Sequence, residues 1–147
     1  MSDISRQELA EKCVNYMVER DEFSRWLGMR LLEIKPGKVR AEMKVRREML
    51  NGFAVSHGGV VFSFADSAFA FACNTHGKIS VSIENSISYP NPIKEGDVLR
   101  AVAEEESVSN SVGFYRVVVT NQREEKVAIF RGTVYRTKKD FFAEGTS

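Results

Sequence analysis

Apolar residues near the start of the chain fall at Leu9, Cys13, Tyr16 and Met17, the i, i+4, i+7, i+8 spacing of one helical face. That spacing predicts an amphipathic helix over about residues 5–20, with Ser5 as N-cap and Glu8 completing a capping box. Phe23, Trp26 and Leu27 extend it as a second short helical turn. From Met29 the period drops to two. Between Gly37 and Arg46, Val39, Ala41, Met43 and Val45 share one face, and Lys38, Arg40, Glu42, Lys44 and Arg46 share the other. This is the pattern of a half-buried antiparallel strand. Pro36-Gly37 makes the turn from a preceding segment, Met29–Lys35.

Ser56–Thr75 follows neither pattern. Its apolar residues, among them Val60, Val61, Phe64, Ala65, Ala68, Phe69 and Ala72, run almost all round a helical wheel. Abundant Ala favours helix over strand, and a helix apolar on nearly every side is buried on most of them. His76-Gly77 supplies a stop, with Gly at C′. Four strand-like runs follow: Ile79–Tyr89, Asp97–Val108, Val112–Asn121 and Lys126–Thr137. In the first, Val81, Ile83, Ile87 and Tyr89 read as one face, with Ser80, Ser82, Glu84, Ser86 and Ser88 on the other. The order is α+β: an antiparallel β-sheet wrapped around a long central α-helix, with an N-terminal helix. Residues 1–147 read as one domain with a core of about 20–138. The end of the chain from Lys138, a tail of about 139–147, is expected to be poorly ordered apart from Phe141-Phe142.

Composition narrows the function classes. With 147 residues, 43% hydrophobic and 28% charged, the chain reads as a soluble globular domain that needs no metal or disulfide staple. Its 21 Lys and Arg oppose 20 Asp and Glu for a net charge of +1, so no basic excess draws it to nucleic acid or an anionic membrane. The N-terminus lacks an apolar signal region. The longest apolar stretch, Val60–Cys73, is too short and too polar for a bilayer span, being interrupted by Ser63, Asp66 and Ser67. A cytoplasmic protein is expected. Cys13, Cys73, His57 and His76 show no zinc-site spacing, so no metal is expected, and both Cys read as buried reduced thiols.

Asp66 is the anomaly, the only charged residue between His57 and Lys78. A carboxylate in an apolar environment is costly unless paired or hydrogen-bonded. Either it accepts bonds from backbone, Ser63, Ser67 or Asn74, or it faces a small wet gap, or it is a catalytic group with a raised pKa. His57-Gly58-Gly59 opens the same helix. Free first-turn N–H groups and the positive end of the helix dipole form a natural oxyanion site, although a plain loop-to-helix turn fits the tripeptide as well. At ~1.5 Å per residue, Asp66 lies roughly 12 Å along the helix from Gly58. If both act on one substrate atom, they must come from two antiparallel helices in a dimer.

Asn51-Gly52, His57-Gly58-Gly59 and the run from Phe62 to Ala70 together resemble the signature of the hotdog-fold acyl-CoA thioesterases, in particular the phenylacetate-pathway (PaaI-type) subgroup. Val81–Tyr89 and Phe130-Arg131-Gly132 are similar in the same context, and the resemblance spans about residues 20–138. It implies hydrolysis of acyl-CoA, with coenzyme A part of the substrate and no separate cofactor, and a preference for aryl or hydroxylated aryl acyl groups. Asp66 would be the catalytic carboxylate, as nucleophile or as general base on water. The Gly58 N–H would polarise the thioester oxygen. His57 would support that turn, Asn51 would orient water or substrate from the opposite subunit, and Ser82 would place a hydroxyl near the carboxylate. Gly59 and Ser67 would adjoin the substrate, and Phe62, Phe64, Phe69 and Met49 are candidates for the acyl pocket. Arg116, Arg131, Arg136, Lys138 and Lys139 are candidates for the coenzyme A phosphates, unless they simply form a solvated sheet face. The family forms homodimers with interfacial sites that pair into homotetramers. A hotdog dehydratase or hydratase would pair a His with an acidic residue. An acyl-CoA sensor would lack the carboxylate or carry a DNA-binding extension. Asp66, inside the helix that His57 begins, favours hydrolysis over both.

Overall fold

The computed structural model describes residues 3–142. Helix α1 (Asp3–Arg20) buries Ala10, Cys13 and Val14. It reaches beyond Ser5, so Ser5 lies inside the helix and is not its N-cap. Asp21 caps the short helix α2 (Glu22–Leu27) by accepting the Ser24 N–H at 2.9 Å. Strands β1 (Arg30–Lys35) and β2 (Lys38–Lys44) form a hairpin through Pro36-Gly37, where Gly37 takes φ 74°. In β2 and its extension Val39, Ala41, Met43 and Val45 are all buried, as their alternation predicts.

A 3-10 turn (Arg47–Met49) leads to the long helix α3 (Gly58–Cys73), followed by β3 (Lys78–Ser88), β4 (Val98–Val108), β5 (Val112–Thr120) and β6 (Lys126–Asp140). The six strands form one antiparallel sheet in the order β1-β2-β4-β5-β6-β3, and α3 packs across β2 to β6. The core lies between them. Phe69 of α3 sits 5.7 Å from the Tyr115 ring and 5.4 Å from that of Phe130. Gly132 makes this packing possible, because a Cβ there would lie 2.5 Å from Phe69 Cζ.

Three local expectations need correction. First, α3 ends at Asn74, three residues before Gly77, so Gly77 is not at C′. The buried Asn74 instead donates to Ala70 O at 2.9 Å and Ser80 O at 3.2 Å, and accepts the Ser80 N–H at 2.8 Å. A side chain thus terminates the helix and starts β3.

Second, β3 does not bury the apolar face that its alternation suggests. Val81 is 46% and Ile83 60% exposed, whereas Ser80 is buried. The register with β6 passes from Ser82↔Val134 to Glu84↔Thr133, so Ile83 is an extra residue on β3. This bulge reverses the phase of everything after it. Ser80 and Ser82 face α3 before it, and Asn85 and Ile87 face α3 after it.

Third, β6 continues through Lys138–Asp140, where Lys78 and Asp140 pair at 2.6 Å. Phe141 donates to Gly77 O at 2.8 Å, and the Phe141 and Phe142 rings stand edge-on to Tyr16. The rest of the expected tail, 143–147, lies outside the described residues. Cys13 and Cys73 are free and buried, and burial pushes the Cys73 thiol up to about 12. No helix among the described residues is long and apolar enough to cross a membrane.

Candidate active site

The sequence-selected residues gather at two heights on α3. The first group surrounds its N-terminus. Residues 50–57 fold back on themselves through a Leu50–Ser56 bridge, with His57 donating to Met49 O at 2.8 Å. Asn51 Oδ1 accepts the N–H of Phe53 at 2.8 Å and of Val55 at 3.4 Å. These bonds hold a turn in which Ala54 takes φ 60°, a conformation that costs a non-glycine residue roughly 1–3 kcal/mol. Asn51 is therefore fixed by the loop that delivers His57 to the helix.

His57 is the N-cap. Its Nδ1 accepts the Gly59 N–H at 3.0 Å, so a neutral ring carries its proton on Nε2. The N–H groups of Val60 and Val61 bond to His57 O at 3.0 and 3.4 Å. Among these first-turn amides Gly58 alone has no acceptor within the described residues. It lines a cavity of about 350 Å³ with Val55, Ser56, Val61, Tyr89 and Ile93. The Tyr89 hydroxyl donates to Gly58 O at 2.8 Å, and burial raises its pKa, keeping it a donor. A Cβ on residue 58 would lie 3.3 Å from Tyr89 Cζ and Oη, which is why this position suits glycine. Sequence reading placed Tyr89 only as a strand residue. Its one available signal was a polar-tipped aromatic at the strand's end.

The second group lies about two turns along α3. Asp66 is half-buried, and burial raises its pKa. Its partner is none of Ser63, Ser67 or Asn74. Asn85 Nδ2 donates to Asp66 Oδ1 at 3.2 Å, and Ser82 Oγ donates to Asn85 Oδ1 at 2.9 Å. Ser82 thus lies near the carboxylate with Asn85 between them. Asn85 escaped the sequence reading because regular alternation puts Ser82 and residue 85 on opposite faces. Ser63 bonds to Gly59 O at 2.8 Å, and Ser67 accepts from Ser24 Oγ at 3.0 Å, facing α2.

The proposed acyl-pocket residues divide. Phe62 is half-buried, edge-on to Phe130 at 5.5 Å, while Met49, Phe64 and Phe69 are buried in the core. Of the basic candidates, Arg131 pairs with Glu106 at 3.0 Å. Arg136 and Lys138, with Lys78, Tyr135, Asn110 and Ser111, border a separate cavity of about 420 Å³. The carboxylate and the unshared amide lie about two turns apart on one helix, so a single chain does not bring them together.

The thioesterase superfamily profile matches residues 53–128. The chain is 40% identical over 140 residues to a putative esterase of Archaeoglobus fulgidus, covering 95% of this chain and 91% of that one. It is 37% identical over 120 residues to the acyl-coenzyme A thioesterase PaaI of Escherichia coli, covering 82% of this chain and 86% of that one. The solved structure of that PaaI protein, from the phenylacetic acid degradation operon, superposes with a TM-score of 0.89 at 34% identity, covering 91% and 97% of the two chains. A Streptococcus mutans protein solved bound to acetyl-CoA superposes with a TM-score of 0.74 at 26% identity, covering 76% of this chain and 90% of that one. The architecture is the hotdog fold.

Proposed function

The chain belongs to the thioesterase superfamily and is an acyl-CoA thioesterase, and on that premise we propose that it prefers aryl-acyl thioesters of the phenylacetyl or hydroxyphenylacetyl kind, hydrolysed at sites shared between two chains. The observation that carries this reading is the pairing, on one helix, of an unshared amide at Gly58 with a desolvated carboxylate at Asp66. The similarity to PaaI supports the acyl class, and the half-buried Phe62 ring beside Phe130 offers an aromatic wall.

In the proposed reaction the thioester oxygen accepts the Gly58 N–H, which stabilises the oxyanion as it develops. Asp66 either deprotonates a water that attacks the carbonyl carbon, or attacks that carbon itself to give an acyl-aspartyl anhydride, which a water then hydrolyses to restore the carboxylate. The C–S bond breaks, coenzyme A leaves as a thiolate and takes up a proton, and the acyl group leaves as the free acid. Thioesters are electrophilic enough to need no cofactor for this step. His57 fixes the first turn, while Asn51 orients water or substrate. Ser82 acts near the carboxylate through Asn85. Arg136 and Lys138 supply positive charge for the phosphates.

Two antiparallel copies of α3 would bring one chain's Gly58 to the other's Asp66. Strand β3 ends the sheet, and its exposed Val81 and Ile83 suit a second copy there. The working form in this reading is a homodimer that pairs into a homotetramer, cytoplasmic and serving phenylacetate degradation. Thiol release from a panel of aryl and straight-chain acyl-CoAs tests it. The wild type is expected to favour aryl groups by kcat/KM, and Asp66→Asn and Asp66→Ala to lose turnover. Equal kcat/KM across the panel would overturn the aryl assignment, and full turnover by both variants would overturn the role of Asp66.

A further inference from the structure

We propose that Asn85 is a positioning residue for the Asp66 carboxylate, oriented in turn by Ser82 and brought into place by the bulge at Ile83. The inference rests on the hydrolytic reading above and deepens it. In a regular strand, residues three apart point to opposite faces. Here the extra residue places Ser82 and Asn85 on the same face, toward α3, and the two side chains bond at 2.9 Å. Because the Asn85 oxygen accepts the Ser82 hydroxyl, its NH2 group is turned toward Asp66 Oδ1, 3.2 Å away. Across the ladder Asn85 is paired with Gly132.

The arrangement does two things. It fixes one carboxylate oxygen, leaving the other to face the reacting atom. It also opposes desolvation, since a neutral amide donor favours the ionised carboxylate. The ionised form is the one that attacks or takes a proton. Burial is the cause of the upward shift at Asp66, and no charged group of α1, α2 or β1–β6 contributes to it among the described residues. On α3 itself, Cys73 is the titratable group that feels the Asp66 charge. Asp21, before α2, is tied to Ser24. On β6, Arg131 pairs with Glu106 of β4, and Glu84 of β3 is exposed on the far side of the bulge. Asn85 is thus the polar side chain that reaches the carboxylate from the sheet.

The test compares Asn85→Leu, Asn85→Gln, Ser82→Ala and Asp66→Asn with the wild type, after thermal melts confirm folding. Two readouts are taken: the acid limb of kcat/KM against pH, and a carboxyl-carbon NMR titration of Asp66. Asn85→Leu is expected to move both midpoints up by about one pH unit and to lower kcat about tenfold, with KM little changed. Ser82→Ala should shift them less in the same direction, and Asn85→Gln should recover part of the loss. Midpoints that coincide with the wild type in both Asn85→Leu and Ser82→Ala, while Asp66→Asn is inactive, would overturn the positioning role and leave the hydrolytic reading standing. If Asn85→Leu fails to fold, an unshifted titration in Ser82→Ala overturns it alone. Full turnover by Asp66→Asn would instead remove the hydrolytic reading and this proposal with it.

Discussion

The two halves of the candidate site on α3 are built from different materials. The N-terminal half is made of backbone: the Gly58 amide, left unshared because His57 caps Gly59 and supplies the carbonyl for Val60 and Val61. The other half is made of side chains: Asp66, Asn85 and Ser82, contributed by a helix and by the strand that follows it. A backbone amide is insensitive to most substitutions, provided the turn that aims it survives. A buried carboxylate depends on every neighbour that solvates it. Substitutions should therefore divide by half, with side-chain changes mattering at one end and the loss of an N–H at the other.

The largest effect is expected at the carboxylate. Asp66→Asn keeps the shape and removes the base or nucleophile, so steady-state kcat should fall by about 10³-fold or more. Next comes Gly58→Pro, which deletes the N–H while suiting the first helical position; Gly58→Ala is its control, because both variants place a Cβ 3.3 Å from the Tyr89 ring and proline alone removes the N–H. The preceding residue, His57, already has the extended backbone that proline requires, at φ −60° and ψ 132°. Here kcat should drop about 10²-fold with helix content by circular dichroism unchanged, as loss of an oxyanion donor would give. A smaller change is expected for Tyr89→Phe, which removes one hydrogen bond to Gly58 O. Steady-state assays should show a loss of only several-fold, about 1 kcal/mol. Equal losses for Gly58→Pro and Tyr89→Phe would erase the distinction between an amide that contacts substrate and a side chain that supports it.

The smallest expected effect is on stability, and its sign follows from the raised pKa of Asp66. The folded state holds this proton more tightly than the unfolded chain does. The stability it contributes is present at low pH and lost as pH rises through the raised value. Asp66→Asn should accordingly gain stability relative to the wild type on going from about pH 4 to neutrality. Urea midpoints at the two pH values check this, and a variant-minus-wild-type stability that falls as pH rises would contradict the desolvated carboxylate.

The same division explains what could be read from the chain. The helix start at His57-Gly58-Gly59 was legible because a capping side chain followed by small residues is a contiguous signal. Strand β2 was legible because one unbroken phase of Val39, Ala41, Met43 and Val45 meets one core. In β3 the same kind of alternation was misleading. The bulge at Ile83 inverts the phase, and the exposed Val81 and Ile83 lie on a sheet edge, so apolar residues there do not report burial within the chain. The partner of Asp66 was hidden for the same reason, since Asn85 reaches it only through that inversion. Gly77 is not the cap because the Asn74 side chain, through its bonds to Ala70 and Ser80, ends α3, and Ser5 is not a cap because α1 is already helical at Asp3. The end of β6 was missed because Lys138–Asp140 are polar, and only pairing with Lys78 shows them to be strand.

The central claim is that one site draws its amide from one chain and its carboxylate from another. Co-expressing Asp66→Asn and Gly58→Pro chains under two different affinity tags, dissociating any tetramer to dimers, and then purifying through both tags isolates the mixed dimer. One of its two sites then carries both lesions and the other neither. Thiol release at about half the wild-type rate, from two parents that are each nearly inactive, is the predicted result. A mixed dimer as inactive as its parents would contradict a shared site.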